Sequence, residues 1–165
     1  MSYFTHDELH DLRGRIKDVK FGMFTVRDTD GSLTSRPLTC QQVDDEGNLW
    51  FFVSDTEQFT HDLADNPSVN VAFANVDDHV YVSVSGQAEL TRDRAKAEAL
   101  WNPMVGAWFP QGLDDPHLAL LRVAMQGAEY WDTASSKMVT LFAMAKAAIT
   151  GKPPTNIGEH RTLGH

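Results

Sequence analysis

Arg36 is the residue of this sequence whose type and surroundings best suit binding of an anionic ligand. It lies in a segment that alternates like a β-strand, directly before Pro37. Because proline has no N–H to donate to a ladder, such a position belongs to a sheet edge or a bulge, where a ligand can approach. Strand parity places Arg36 on one face with Leu38 and Cys40. Parity alone is equally consistent with a ligand-facing arginine and with an exposed surface arginine.

The next candidate is aromatic. Trp108 and Phe109 lie in a segment bounded by Gly106 and Gly112. Aromatic side chains are enriched at interfaces and in small-molecule pockets, so Trp108 is a candidate ligand contact. The alternative is that both aromatics seal the core. Trp131 is a weaker candidate, because a tryptophan in such a strand is more often a core residue.

Other reactive residue types predict no catalytic or metal centre. His6 and His10 could share one helix face, but they lack the order of a zinc-protease motif and no further ligands complete a site. Cys40 is predicted to be a small buried hydrophobe rather than a redox thiol. Asp114 and Asp115 are predicted to be turn residues. Spacing picks out neither a Ser-His-Asp arrangement nor a glycine-rich phosphate loop.

Length and charge restrict the classes of function. The chain has 165 residues, the size of one ordinary domain, and a net charge of −9. Such a surface repels phosphate backbones, so nucleic acid is not an expected partner. One cysteine cannot form an intrachain disulfide, which favours a reducing, cytoplasmic location. No apolar run approaches the roughly 18 residues of a membrane span, and the first residues lack a signal-peptide pattern, so no membrane association is expected.

The elements that must position these residues are mostly strands. Strand patterns lie at residues 20–27, 33–43, 49–53, 69–74, 79–90 and 119–131. Helical patterns lie at 6–18, 56–65, 91–105 and 135–149, and the first is preceded by a capping box of Thr5 and Glu8. Strands and helices do not alternate regularly, which argues against a parallel doubly wound sheet. We therefore predict a mainly β (α+β) fold, a six-stranded antiparallel barrel with short flanking helices over residues 1–150, followed by a polar tail, 151–165.

Several motifs, in order, resemble one known family. Residues 34–38 (Thr-Ser-Arg-Pro-Leu) and 47–52 (Gly-Asn-Leu-Trp-Phe-Phe) resemble the flavin-cradling hairpin of the pyridoxamine phosphate oxidase-like, FMN-binding split barrels. Residues 81–89 resemble the family's long fifth strand. Motifs at 101–103, 108–112, 114–116 and 129–132 are similar to its general stress protein branch. The resemblance runs from about residue 6 to 150.

The resemblance implies a homodimeric split β-barrel with two flavin sites (FMN, or alternatively FAD) at the subunit interface. It implies that the flavin is lined by two strand segments: Ser35, Arg36, Pro37, Leu38 and Thr39, and Phe52, Val53 and Ser54. It implies that the start of the following helix, with Gln58, Phe59 and Thr60, lies at the phosphate, and that Trp108 approaches from the partner subunit. Tyr130, Trp131 and residues 118–123 are candidates for the dimer face.

The sequence departs from the family at the phosphate. Relatives typically offer a serine and a lysine or arginine there, whereas this chain has Glu57, Gln58 and Phe59. A carboxylate 4 Å from a like charge costs on the order of 4 kcal/mol at an effective dielectric near 20. We therefore expect a weakened phosphate site, in which Phe59 could fill the space of the phosphate. His61, beside the expected pocket, is the histidine worth testing.

Three functions remain open. The first is a flavin-dependent oxidoreductase acting on a quinone, another flavin or a nicotinamide. The second is a non-catalytic flavin-binding stress protein. The third is an interaction dimer without cofactor. Pyridoxamine phosphate oxidase activity itself is not expected, because the tail offers only His160 and Arg161 to grip a substrate phosphate. Haem or deazaflavin binding, known in related split barrels, stays an alternative.

Overall fold

The computed structural model describes residues 4–19, 21–133, 151 and 158–163. Its strands are β1 (Gly22–Arg27), β2 (Leu33–Leu38), β3 (Gln42–Val43), β4 (Asn48–Ser54), β5 (Ser68–Asn75), β6 (Val80–Thr91), β7 (Leu118–Thr133) and β8 (Gly158–Leu163). Its helices are α1 (His6–Ile16), α2 (Gln58–Asp62), α3 (Arg94–Leu100) and α4 (Pro103–Trp108), with a 3₁₀ turn at Gly112–Asp114. The predicted mainly β fold with short helices is confirmed. The predicted closing helix, 135–149, lies outside the described residues.

The strands form one antiparallel sheet in the order β2-β1-β5-β6-β7-β4-β3. Residues 39–41 connect β2, at one end of this order, directly to β3, at the other. The backbone N–H of Gln41 also donates to the carbonyl of Trp50 on β4 (2.8 Å). The short connection brings the two ends of the sheet together, so the sheet curls around its own apolar face.

That apolar face forms the core. Its largest fully buried side chains are Tyr130, Phe24, Phe51, Phe73, Leu9, Leu12, Leu49, Leu121 and Leu163. Phe24 on β1 and Phe51 on β4 meet edge to face, with ring centroids 5.6 Å apart, which is a favoured aromatic geometry. The core therefore spans strands from both ends of the sheet and holds the barrel closed.

Helix α1 covers this core with Leu9, Leu12 and Ile16. The predicted capping box is confirmed: the Thr5 hydroxyl accepts the Glu8 N–H (3.2 Å), and the Glu8 carboxylate accepts the Thr5 N–H (2.8 Å). Both bonds satisfy N–H groups that the first helical turn leaves without partners.

The structure divides two predicted elements. The segment predicted as one strand, 33–43, is β2 and β3 with a connection between them. The segment predicted as one helix, 91–105, begins as the last residue of β6 and then forms α3 and α4. Pro103 is the reason for the second break, because proline removes an N–H and disfavours helical geometry in the residue before it. The six predicted strand segments all contain strands, and residues 158–163, in the segment expected to be a polar tail, pair with β7 as β8.

Candidate functional site

Arg36 lies on the inner face of β2. It stands directly opposite Phe24 in the β1–β2 ladder, and Phe24 is fully buried. Along β2 the half-buried positions alternate with exposed ones, Arg36 and Leu38 being half-buried and Ser35 and Pro37 exposed. The parity expected for Arg36 and Leu38 is therefore observed.

The Arg36 guanidinium contacts two side chains, those of Phe59 and Thr34. Its central carbon lies 4.1 Å from the centroid of the Phe59 ring, a cation–π contact. Its Nη2 donates to the Thr34 hydroxyl (3.0 Å). Its Nη1 is buried and has no acceptor among the described residues. A buried donor left without a partner costs about 1–3 kcal/mol, so an anionic oxygen that reached Arg36 would be bound favourably.

Phe59 belongs to the core. It is 6 % exposed, and its ring centroid lies 6.1 Å from that of Phe24. The ring thus anchors α2 to β1 and supports Arg36. That Phe59 fills the space of the phosphate stays a prediction.

The polar side chains at the start of α2 are already hydrogen-bonded. The Thr60 hydroxyl donates to the Glu57 carbonyl (2.7 Å), and the Gln58 amide donates to Asp62 (3.1 Å). At the end of β4 the Ser54 hydroxyl is 2.8 Å from that of Thr56. The side chains of Gln58 and Thr60, predicted at the phosphate, and of Ser54, predicted to line the flavin, therefore each have a partner within the chain.

Glu57 precedes α2 as its N-cap residue. Its side chain is exposed and makes no capping hydrogen bond. It forms no ion pair with any residue that the structure describes. A free carboxylate thus remains beside the segment that the sequence motifs assign to a phosphate.

Asp55 is the centre of a polar cluster that sequence reasoning missed. Its carboxylate accepts hydrogen bonds from Arg92 and from Nδ1 of His117 (2.9 Å). Nε2 of His61 donates to its carbonyl (2.7 Å). These hydrogen bonds to the carboxylate lower the pKa of Asp55, and the bond from Arg92 has a larger effect than the bond from His117. This cluster fastens the loop before α2 to the end of β6 and the start of β7; of its members, only His61 stood out in the sequence.

Phe52 and Val53 point to opposite faces of β4. Val53 is a core residue, whereas the Phe52 ring meets that of Trp101 edge to face, with centroids 5.9 Å apart. Trp101 lies two residues before Pro103, the first residue of α4. Phe52 therefore packs near the start of this helix. Trp108, its last residue, is 83 % exposed.

The outer surface of four strands carries no charged side chain over its central part. We call it the uncharged face: Ser35 and Pro37 of β2, Met23 and Thr25 of β1, Asn70, Ala72 and Ala74 of β5, and Tyr81, Ser83 and Ser85 of β6. The Ser35 and Thr25 hydroxyls are 2.6 Å apart, and Asn70 donates to Ser83 (2.9 Å). Met23 and Tyr81 are 44 % and 39 % exposed. The predicted contacts Ser35 and Pro37 lie here, on the face opposite to Arg36.

The remaining candidates are structural in their surroundings. Leu38 and Cys40 are half-buried and pack against the core, and Thr39 follows β2 in the connection to β3. Burial raises the pKa of the Cys40 thiol to about 12, so the expectation of an unreactive thiol agrees with its position. In the part of the chain that the structure describes, no cluster of histidine, cysteine and carboxylate side chains could hold a metal ion, and no helix is long and apolar enough to cross a membrane.

Comparison with known proteins identifies relatives over nearly the whole chain. The family model for pyridoxamine 5′-phosphate oxidase-like proteins matches residues 7–155. Protein bli-3 of Neurospora crassa is 31 % identical over 158 residues, which cover 90 % of this chain and 76 % of that protein.

Solved structures resemble the fold closely. A general stress protein 26 from Jannaschia sp. CCS1 is 26 % identical with a TM-score of 0.79, and the match covers 98 % of this chain and 100 % of that one. The general stress FMN/FAD-binding protein of Xanthomonas citri is 31 % identical with a TM-score of 0.69, covering 80 % of this chain and 93 % of that one.

Proposed function

The chain belongs to the pyridoxamine 5′-phosphate oxidase-like family, and from that premise we propose that it binds a flavin, FMN or FAD, and works as a flavin-dependent oxidoreductase. The observation that carries the proposal is the buried Nη1 of Arg36, which has no acceptor among the described residues. It lies against α2, where the sequence motifs assign the phosphate end of the ligand. A phosphate oxygen bound there would satisfy this donor in a charge-assisted hydrogen bond.

The chain's own part in the reaction would be binding and orientation. Arg36 would hold the phosphate end, and Leu38, on the same face of β2, would line the flavin. A bound flavin would itself supply the electron transfer, with a quinone, a second flavin or a nicotinamide as the substrate classes to test. The solved relative from Xanthomonas citri, described as FMN/FAD binding, supports this choice of cofactor.

The proposal includes a homodimer, with Trp108 of each subunit reaching the flavin of the other. The uncharged face supports this arrangement, because a chain of net charge −9 can approach a second copy most easily through a surface that carries no charge. Exposed apolar side chains on that face, such as Met23 and Tyr81, would be removed from water in the dimer.

Titration of the purified protein with FMN, FAD and riboflavin, followed by flavin fluorescence, tests the proposal. We expect micromolar or tighter binding of at least one phosphorylated flavin, weakened at least tenfold by Arg36→Ala, a loss of about 1.4 kcal/mol. Arg122→Ala is the matched control, since Arg122 is a strand arginine paired on the surface with Glu89. Binding that is unaffected by Arg36→Ala would contradict the assignment of the site.

A second candidate function is flavin binding without turnover. The observation that favours it is the internal hydrogen bonding of Gln58, Thr60 and Ser54, which leaves few donors for the ligand. Steady-state assays with NADH or NADPH and a quinone or flavin acceptor separate the two. Binding with no turnover would support the second candidate, and no binding of any flavin would leave the dimer without cofactor.

A further inference from the structure

We propose, given the flavin binding proposed above, that this site selects its flavin by the charge of the phosphate. A phosphate group with one negative charge is bound in preference to a dianion. The affinity for FMN relative to FAD then falls as pH rises, and Arg36 and Glu57 are the residues that set this dependence.

Positive charge is scarce at the proposed phosphate site. Arg36 contacts α2 through the Phe59 ring and keeps one buried N–H without an acceptor among the described residues. Arg92, which reaches the loop before α2 from the end of β6, is held by Asp55. One guanidinium can neutralise one charge on a phosphate, and the neighbouring neutral donors Gln58 and Thr60 are bonded within the chain.

Negative charge without a partner is present beside the same segment. Glu57 is exposed, forms no ion pair with a described residue and makes no cap bond. Three other carboxylates are engaged: Asp62 by Gln58, Asp55 by Arg92 and His117, and Asp28 by the Thr34 hydroxyl to which Arg36 donates. The second charge of a dianion therefore meets no cation that the structure shows at the site, and it meets the field of Glu57.

FMN and FAD differ in the charge that a single phosphate group carries. A phosphate monoester, as in FMN, loses its second proton near pH 6 and is a dianion at pH 8. In FAD each phosphate of the pyrophosphate carries a single charge, and these charges do not change between pH 5.5 and 8. Acidification should therefore strengthen the binding of FMN through the ligand itself, and FAD reports any change that comes from the protein, whose nearest histidines along this segment are His61 and His117.

The test is a set of fluorescence titrations of the full chain with FMN, FAD and riboflavin at pH 5.5 and pH 8. We expect FMN to bind about tenfold more weakly at pH 8 than at pH 5.5, relative to FAD over the same interval, which corresponds to about 1.4 kcal/mol. Glu57→Gln should tighten FMN at pH 8 by a similar factor and leave riboflavin unchanged. Glu46→Gln, an exposed carboxylate in the turn before β4, is the control.

Each outcome decides something. A ratio of FMN to FAD affinity that is the same at both pH values would overturn the charge selection while leaving flavin binding intact. A Glu57→Gln variant that binds FMN no better than Glu46→Gln would overturn the role of Glu57. Failure of all three flavins to bind at either pH would instead overturn the proposed function on which the inference rests.

Discussion

At the residue scale, the position of Arg36 depends on an aromatic ring that lies far from it in the sequence. Phe59 packs in the core against Phe24 and presents its ring to the guanidinium. Stacking of this kind fixes the plane of an arginine side chain at a low cost in conformational entropy. Arg36 can therefore meet a ligand in a defined orientation, which a lysine at the same position would not.

The lowered pKa of Asp55 predicts how the stability of the folded protein changes in acid. Hydrogen bonds from Arg92 and His117 lower its folded-state pKa below the ordinary value of about 3.9. A lowered carboxyl pKa contributes stability above the unfolded-state value, and the contribution disappears as pH falls through the folded-state value. We expect urea denaturation to show a stability advantage of the wild type over Asp55→Asn that is present at pH 5 and shrinks below about pH 4. An advantage that grew on acidification would contradict this linkage.

At the element scale, a glycine sets the shape of the longest strand pair. The β6–β7 ladder shifts register between Ser85 and Gly86, and a Cβ on Gly86 would lie 2.4 Å from the Ala124 carbonyl oxygen. A backbone atom cannot move aside as a flexible side chain can. The bulge thus requires glycine, and it divides β6 into the part that carries the uncharged face and the part that pairs with the first half of β7.

A matched pair of alanine substitutions tests this requirement. Gly86→Ala should destabilise the protein by about 1–3 kcal/mol, the range of overpacking in a tight site. Gly14→Ala, in helix α1 where a Cβ would meet nothing within 4 Å, should stabilise by up to about 1 kcal/mol. Denaturant unfolding of both variants gives the two signs, and a neutral Gly86→Ala would show that the strands can separate at the bulge.

Helix α4 positions Trp108 and begins at a defined cap. The Asn102 side chain accepts the N–H groups of Met104 and Val105 and donates to Gln41 (2.9 Å). Loss of such a cap costs about 1 kcal/mol. If Trp108 contacts the flavin, Asn102→Ala should weaken flavin binding as well as stability.

The cap of the preceding helix provides the control for that substitution. Asp93 accepts the Lys96 N–H at the start of α3, so Asp93→Ala should cost a similar amount of stability, about 1 kcal/mol. It should leave flavin affinity within twofold, because α3 does not carry Trp108. Equal losses of affinity in the two variants would mean that the effect of Asn102→Ala is general destabilisation.

At the scale of the whole molecule, the uncharged face is the surface on which the proposed dimer depends. Met23→Glu would place a carboxylate at the centre of the face in each subunit. Like charges brought together at an interface cost several kcal/mol, so we expect this variant to sediment as a monomer at micromolar concentration where the wild type sediments as a dimer. Val76→Glu, in the exposed turn after β5, should leave the wild-type state unchanged; a dimeric Met23→Glu would place the interface elsewhere.

Local sequence patterns were sufficient to predict the class of the fold and the face of β2 on which Arg36 lies. Alternation with a period of two is a local property, so it placed Arg36 and Leu38 on one side of β2, and local patterns of this kind and apolar runs marked six strand segments between residues 20 and 131. The order of the motifs pointed to the family because it too can be read along the chain. The capping box at Thr5 and Glu8 was predictable for the same reason.

Which of these residues contact one another depends on the tertiary structure. Arg36 and Phe59 contact each other across the closure of the sheet, and Asp55 gathers Arg92 and His117 from the ends of two other strands. No periodicity encodes a contact between residues so far apart in the chain, because such contacts follow from the order and curvature of the strands. The same closure packs Phe59 in the core and against Arg36, and its occupation of the space of the phosphate stays a prediction.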